Sequence, residues 1–82
     1  MIFSPRPGYP YEARLAKQTG SGKFLLKFDS LGNVTDVGVA QSTGSEILDQ
    51  TSMSALGRWK CKPGLCKQIY VPITFTLAGA HL

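Results

Sequence analysis

Apolar residues alternate strictly with other residues along the stretch 68–77. Its odd positions are apolar and its even positions are polar, aromatic or proline, in the order Gln68, Ile69, Tyr70, Val71, Pro72, Ile73, Thr74, Phe75, Thr76 and Leu77. This period of two, carried by β-branched and aromatic residues, predicts a β-strand with one buried face. Pro72 has no N–H to donate, so we expect the strand at the edge of its sheet, with the nitrogen of Pro72 facing outward.

A helical period of apolar and small residues precedes this strand. The residues at this spacing are Leu48, Ser52, Ala55, Leu56 and Trp59. They predict an amphipathic helix that packs on the sheet and buries Trp59 between the two layers. Thr43 or Ser45 is expected to cap the helix, and Thr43 and Glu46 have the spacing of a capping box. Gly57 would cost about 1 kcal/mol inside a helix, and the Pro-Gly pair that follows ends any helical run.

The first half of the chain contains an extended arm, a short helix and a β-hairpin. Prolines hold residues 1–8 near polyproline geometry, and residues 11–18 have the acidic-to-basic order of a short helix that starts near Pro10. Residues 23–29 and 34–41 each alternate as strands. The turn between them contains a Gly-Asn pair, of which either residue is able to adopt positive φ.

These elements predict an α+β fold with a single domain. The last strand follows the hairpin through a helix, so placing it beside the first strand gives a three-stranded antiparallel sheet of order 2-1-3. Both helices are expected on one face of this sheet. The predicted division of the chain is an arm over residues 1–8, a domain over residues 9–77 and a tail over residues 78–82.

The charge of the chain indicates anionic partners or a solvated helix end. The 82 residues carry a net charge of +4, and four basic residues fall within ten positions, namely Arg58, Lys60, Lys62 and Lys67. They indicate either a patch that binds lipid headgroups, nucleic acid or an acidic peptide, or a helix C-terminus whose dipole they offset. We favour the helix terminus and expect no nucleic-acid partner, because no aromatic residue repeats among the basic ones as base stacking requires.

The sequence contains no segment that predicts membrane insertion or secretion. No apolar run approaches the roughly 20 residues that cross a bilayer, and no signal peptide is visible. We therefore expect either a cytoplasmic chain or one domain of a longer protein whose targeting segment lies elsewhere.

Cys61 and Cys66 flank a Lys-Pro-Gly-Leu turn. Their spacing differs from that of a redox dithiol or a zinc knuckle, and His81 is the only histidine, so we expect no metal and no cofactor. In an oxidising compartment a disulfide across the turn is favoured, and its short loop would contribute about 2 kcal/mol. In a reducing cytosol the two residues would be inert thiols.

Residues arranged for catalysis are not recognisable in the sequence. It has no glycine-rich phosphate loop, no serine or cysteine nucleophile with a base, and no pair of carboxylates placed to converge. We expect the protein not to be an enzyme.

Short motifs follow one another in a fixed order across residues 7–77. They are PGYPYEAR at 7–14, GSGKF at 20–24, FD at 28–29, GNVTDV at 32–37, STG at 42–44, LD at 48–49, RW at 58–59, KPG at 62–64 and VPITF at 71–75. Each motif is weak alone, but in this order and spacing they resemble the C-terminal domain of TonB-type energy transducers.

This resemblance implies the fold described above and a role in energised transport. Members of the family are anchored in the inner membrane, cross the periplasm on a proline-rich linker, and use this domain to bind the TonB box of an outer-membrane transporter. The implied partners are that segment and, through parts of the protein outside these residues, the inner-membrane proton-channel complex. The implied localisation is periplasmic.

Two alternative functions stay open at this point. The first is a structural or dimerisation domain of the same fold in another envelope protein, with a homodimer formed by paired edge strands. The second is a small basic domain that binds nucleic acid.

The predicted edge strand is the expected peptide-binding site, because its unpaired backbone groups can accept an added strand. Within the edge over residues 68–77, the residues expected to bind are Gln68, Ile69, Tyr70, Val71, Pro72, Ile73 and Thr74. The resemblance adds the arm at Arg6, Pro7, Tyr9 and Pro10, where Arg6 is able to meet a carboxylate. In the alternative, Pro72 blunts this edge and the tail over residues 78–82 covers it.

Overall fold

The computed structural model describes residues 2–81, so Met1 of the predicted arm and Leu82 of the predicted tail lie outside the described residues. In chain order the elements are α1 (Tyr11–Leu15), β1 (Gly20–Phe28), β2 (Val34–Gln41), α2 (Glu46–Leu56), β3 (Gln68–Thr76) and β4 (Gly79–His81). The predicted α+β class, with two helices and an antiparallel sheet, is confirmed.

The strands form one sheet in the order β2-β1-β3-β4. The predicted order of the first three strands is confirmed, and β4 adds a fourth strand beyond β3. It pairs antiparallel with the end of β3, with His81 opposite Thr74 and Gly79 opposite Thr76. Residues 79–81 of the predicted tail are therefore part of the sheet.

The β1–β2 hairpin closes through a turn held by Asp29. Its carboxylate accepts hydrogen bonds from the backbone N–H groups of Leu31 and Asn33, both at 2.9 Å. Gly32 takes the positive φ of the turn (86°), which is one of the two positions predicted for it. A side chain at Gly32 would place its Cβ 1.9 Å from the carbonyl oxygen of Cys61, so the turn also needs glycine for this close approach.

Helix α1 is shorter than the predicted residues 11–18. It ends in a Schellman motif, in which the N–H of Gln18 donates to the carbonyl of Ala13 at 2.9 Å and the N–H of Lys17 to that of Arg14 at 3.0 Å. Lys17 carries the positive φ (51°) that such a motif requires, a position more often filled by glycine. Because a lysine rather than a glycine ends the helix, the sequence pattern did not reveal this end, and the predicted helix is too long.

Helix α2 is capped by Ser45, whose hydroxyl accepts a hydrogen bond from the N–H of Leu48 at 3.4 Å. The capping box predicted between Thr43 and Glu46 is wrong, because the hydroxyl of Thr43 donates to Asp49 instead, at 2.6 Å. Ser45, the other predicted cap, takes its place.

Helix α2 ends at Leu56, with Gly57 as its C-cap. The last turn contains no basic residue. Arg58 directly follows the C-cap, and its N–H donates to the carbonyl of Ala55 at 3.1 Å. Lys60, Lys62 and Lys67 lie beyond the helix, so the interpretation of the whole basic cluster as a helix end is wrong for these three lysines.

The core lies between the sheet and one layer made of α2, α1 and the arm. Its buried members are Ala13, Phe24, Leu26, Leu48, Leu56, Trp59, Val71, Ile73 and Phe75. Helix α2 packs against β1 and β2. Pro7 of the arm is buried, and Tyr9, which follows the arm, packs on Phe75 of β3. The predicted burial of Trp59 is confirmed at 8% exposure, and its indole N–H donates to the carbonyl of Pro5 at 2.8 Å.

Cys61 and Cys66 form the disulfide that the turn between them predicted. Cys61 is fully buried and Cys66 is half-buried. Across residues 2–81, no helix has both the length and the apolar character that a membrane span requires.

Candidate functional site

The pairing of β3 with β1 decides which backbone groups of β3 are free. Just before β3, the N–H of Phe28 donates to the carbonyl of Lys67 at 2.8 Å, and Leu26 lies opposite Ile69 in the same register. Hydrogen-bonded and non-hydrogen-bonded pairs alternate in an antiparallel ladder. The odd residues of β3 therefore bond to β1, and the even residues direct their N–H and C=O groups away from it.

Pro72 is one of these even residues and lies opposite Lys23. Its nitrogen faces away from β1, as predicted, so the missing N–H removes no hydrogen bond between the two strands. Proline is tolerated inside this long strand because of that register.

The free edge of β3 is shorter than the predicted residues 68–77, because β4 pairs with residues 74–76. Thr74 lies opposite His81 and is covered on this side. In the part of the chain that the structure describes, residues 68–73 have β1 on one side and no strand on the other. The backbone groups left at the edge are the N–H and C=O of Gln68 and Tyr70 and the C=O of Pro72.

The side chains of β3 divide between the two faces of the sheet. Val71 and Ile73 are buried in the core and Ile69 packs against it, so these predicted site residues face away from the open side of the sheet. Gln68, Tyr70, Pro72 and Thr74 are exposed on that open side.

Tyr9, which directly follows the arm, contacts three other parts of the domain. Its hydroxyl donates to the carbonyl of Gln18, and its ring lies 5.9 Å from that of Phe75. The guanidinium of Arg14 sits 5.6 Å from the centre of the Tyr9 ring, a cation–π contact. Tyr9 therefore anchors the arm at the C-terminal half of β3.

The other arm residues predicted to bind are not all available on the surface. Arg6 is exposed, Pro7 is buried and Pro10 is the half-buried N-cap residue of α1. Among residues 2–81, no hydrogen bond joins Arg6 or Pro7 to residues 68–73. The structure thus brings Tyr9 to β3 but does not connect Arg6 to the free edge.

A polar cluster at the start of α2 holds the loop that leads into the helix. The carboxylate of Asp49 accepts from the N–H of Thr43 at 2.8 Å, from the hydroxyl of Thr43 at 2.6 Å and from the hydroxyl of Ser42. Burial raises the pKa of Asp49, but the hydrogen bonds from Ser42 and Thr43 outweigh burial and lower it below the ordinary value. The cluster fixes the β2–α2 connection.

The described residues contain no group of three or more His, Cys, Asp and Glu side chains able to hold a metal ion. Every buried side-chain nitrogen and oxygen within them has a hydrogen-bond partner.

Comparison with known proteins identifies the family. The family model for the C-terminal part of the Gram-negative bacterial TonB protein matches residues 5–77. The chain belongs to the TonB C-terminal domain family. Its similar curated proteins include Protein TonB of Vibrio cholerae, which is 31% identical over 80 residues that make up 90% of this chain and 33% of the relative.

A second TonB relative leads to the same family. Protein TonB of Xanthomonas campestris is 31% identical over 77 residues, which cover 87% of this chain and 34% of the relative. The chain spans about a third of the length of these two TonB proteins.

A solved TonB structure has the same fold. The NMR solution structure of the Helicobacter pylori TonB C-terminal domain matches with a TM-score of 0.65 and 25% identity, covering 88% of this chain and 82% of that one. The TonB C-terminal fold is thus supported by the structure as well as by the sequence.

Sequence reasoning about this TonB domain missed β4 and the anchoring role of Tyr9. β4 has only three residues, too few for an alternation to be recognised. Gly79, with φ of 132°, was a usable sign that the chain reverses after β3. Tyr9 lies between two prolines in the sequence, but nothing in the sequence indicates that its ring packs against that of Phe75.

Proposed function

We propose that this domain is the periplasmic peptide-binding module of a TonB-like energy transducer. It binds the TonB box of an outer-membrane transporter as an added strand beside residues 68–73 of β3. The observation that carries this proposal is the free backbone edge at Gln68, Tyr70 and Pro72, on a strand whose other side is fully paired with β1.

Backbone pairing suits a partner whose sequence varies and which is pulled. Each hydrogen bond to the edge contributes about 0.5–1.5 kcal/mol net, largely independent of the partner's side chains. Several such bonds loaded together resist force better than one side-chain contact. Pro72 supplies an acceptor but no donor, so the ladder with the added strand is interrupted there.

Side chains beside the edge add selectivity. Tyr70 is 59% exposed on the open face of the sheet, and the exposed Lys23 and Lys27 of β1 lie opposite Pro72 and Gln68 in the register. A strand added to β3 presents alternate side chains to the same face. Tyr70 favours apolar partner residues there, and the lysines favour acidic ones.

The arm contributes through Arg6. Its exposed guanidinium is free of the packing that occupies Tyr9 and Pro7, and it meets a carboxylate of the transporter by a charge-assisted hydrogen bond. Tyr9, Pro7 and Pro10 act by holding the arm in place.

The remaining parts of the transducer lie in segments outside these residues. They anchor the protein in the inner membrane and connect it to the proton-channel complex there, so that this domain works in the periplasm. The disulfide between Cys61 and Cys66 is consistent with that oxidising compartment.

Removal of a single edge donor tests this mechanism. In Tyr70→Pro the outward N–H is lost, whereas Tyr70→Ala loses the same aromatic ring and keeps the N–H. We expect Tyr70→Pro to bind a TonB-box peptide about two- to tenfold more weakly than Tyr70→Ala, as measured by isothermal titration calorimetry.

Circular dichroism and thermal unfolding establish that both Tyr70 variants are folded. Equal affinities of the two folded variants would contradict strand addition at this edge. A concentration-dependent dimer that excludes the peptide would favour the alternative role as a dimerisation domain.

A further inference from the structure

Three segments meet at the end of the sheet where the β1–β2 turn lies. The backbone N–H groups of Ile2 and Phe3 donate to the carbonyl of Lys60 at 2.9 and 3.2 Å, and the N–H of Lys60 donates to the carbonyl of Phe3 at 2.7 Å. The N–H of Cys61 donates to the carbonyl of Gly32 at 2.8 Å. We call this end, formed by residues 2–3, 29–33 and 60–67, the hairpin tip.

The hairpin tip exposes large apolar side chains from all three segments. Ile2 is 62%, Phe3 55%, Leu31 64% and Leu65 70% exposed. Leu65 lies in the loop closed by the disulfide, where its N–H donates to the carbonyl of Lys62 at 3.1 Å. These side chains are held outward by a hydrogen-bonded and cross-linked framework.

The loops that carry Leu31 and Leu65 flank one cleft. Ser30 and Gly64, the residues just before them, both line this cleft of about 310 Å³. The two leucines therefore belong to neighbouring loops at the same end of the sheet.

The same tip is basic. Lys60, Lys62 and Lys67 are exposed there, and the sequence has no acidic residue after Asp49. The carboxylate of Asp29 in the turn is already bonded to backbone N–H groups.

The neighbouring charges do not cancel this basic character. Asp36, near the tip, lies opposite Lys27 in the β1–β2 register. The exposed Arg58 adds a further positive charge before residue 60. Because α2 ends before Arg58, the helix dipole does not explain this concentration of positive charge.

We propose that the hairpin tip binds the surface of an anionic lipid bilayer. Leu31 and Leu65 enter the boundary between headgroups and acyl chains, and the tip lysines contact the headgroup phosphates. Exposed aliphatic residues beside lysines are the combination that such a surface attracts by both burial and charge.

The composition of the tip favours lipid over nucleic acid. Its exposed apolar residues are mainly aliphatic, with Phe3 as the one aromatic ring among the four, whereas single-stranded nucleic acid binding relies on successive aromatic platforms. The proposal goes beyond peptide binding and does not depend on it, because the tip is formed by the loops next to the β3 edge and uses none of the edge groups.

Vesicle flotation tests the proposal with the 82-residue chain. The vesicles contain equal parts of phosphatidylglycerol and phosphatidylcholine, and pure phosphatidylcholine vesicles serve as the neutral reference. We expect binding to the anionic vesicles and none to the neutral ones. Lys62→Gln should weaken partitioning about fivefold, and Leu65→Ser about tenfold.

Matched controls separate the tip from a general charge effect. Lys23→Gln removes the same charge from the open face of the sheet, and Leu77→Ser removes an exposed leucine from the opposite end of the sheet. Both controls should leave partitioning nearly unchanged. All substituted positions are exposed, and thermal unfolding establishes that each variant is folded.

Three results would overturn the proposal. The first is no binding to anionic vesicles at low salt, and the second is equal weakening by Lys23→Gln and Lys62→Gln. The third is displacement from the vesicles by a single-stranded DNA oligonucleotide whose own binding is weakened by Leu65→Ser, which would make the tip a nucleic-acid site.

Discussion

Lys17 ends α1 in a left-handed backbone conformation, with φ of 51°. For a residue with a Cβ this conformation costs roughly 1–2 kcal/mol. The fold tolerates this strain because the Schellman motif at Lys17 and Gln18 provides hydrogen bonds to the last carbonyls of the five-residue helix.

Replacement of Lys17 by glycine should therefore stabilise the domain. We expect Lys17→Gly to raise the free energy of unfolding by about 1 kcal/mol, since the relief of backbone strain exceeds the added entropy of the unfolded chain. Urea unfolding measures this change. Lys17→Ala removes the same charge but retains the strain, so equal stabilities of the two variants would contradict the assignment.

Asp49 links stability to pH. Its pKa in the folded state lies below the ordinary value, so its contribution is fully present above the pKa of the unfolded chain, about 3.9, and is lost as pH falls through the folded pKa. We expect the stability difference between the wild type and Asp49→Asn to be largest above about pH 5 and to shrink below about pH 4. Urea unfolding across this range measures it; a difference independent of pH would contradict the role of the carboxylate.

Residue-level features were predictable only where one residue type had one possible role. The burial of Trp59 and the positive φ at the Gly32–Asn33 turn position followed from side-chain size and from glycine. The sequence could not decide whether Thr43 or Ser45 caps α2, because both residues have a hydroxyl suited to the N-cap. The choice is made by Asp49, which binds Thr43 from within the helix.

At the scale of elements, β3 combines a buried face with an exposed edge. Its alternation identifies it in the sequence, and Pro72 indicates which side is free. The bounds of β2, residues 34–41, were predicted because its alternation and turn are local. β1 begins at Gly20, before its predicted start at Lys23, because its glycines pair with Ile73 and Phe75 of a strand about 50 residues later.

Pro72 withholds one hydrogen-bond donor from the free edge of β3, where we propose that the peptide binds. In Pro72→Thr an outward N–H is restored beside those of Gln68 and Tyr70, and we expect a TonB-box peptide to bind about two- to tenfold more tightly. Calorimetric titration of both proteins measures the difference. Sedimentation analysis is the control, because a repaired edge also favours pairing between copies; an unchanged affinity in a monomeric variant would show that the added strand does not reach Pro72.

For the whole molecule, Trp59 joins three parts of the structure. Its ring fills the core between the helical layer and the sheet, and its N–H holds the arm at Pro5. A domain of this size has a thin margin of stability, so loss of one such side chain affects the entire fold.

Trp59→Ala should cost about 3–5 kcal/mol and leave the domain largely unfolded at ambient temperature. Thermal unfolding followed by circular dichroism measures this loss. Trp59→Phe, which keeps a ring but not the N–H, should cost less and should release the arm. Near-native stability of Trp59→Ala would contradict the described core.

The strand of the candidate site could be predicted from the sequence, but the contacts that other segments make with it could not. The strand pattern predicted residues 68–74 as the binding edge, and the family resemblance added the arm. β4, which covers Thr74, and the packing of Tyr9 on Phe75 arise only when distant segments meet. The exposed leucines of the hairpin tip were equally hidden, because single apolar residues in loops carry no period.

Amide hydrogen exchange of the ¹⁵N-labelled domain, with and without a TonB-box peptide, tests the central claim most directly. The edge N–H groups of Gln68 and Tyr70 should exchange fast in the free domain and become protected on binding, whereas those of Ile69 and Val71 are already bonded to β1 and should change little. Protection confined to the outer face of α2, with Gln68 and Tyr70 unchanged in the complex, would contradict strand addition at this edge.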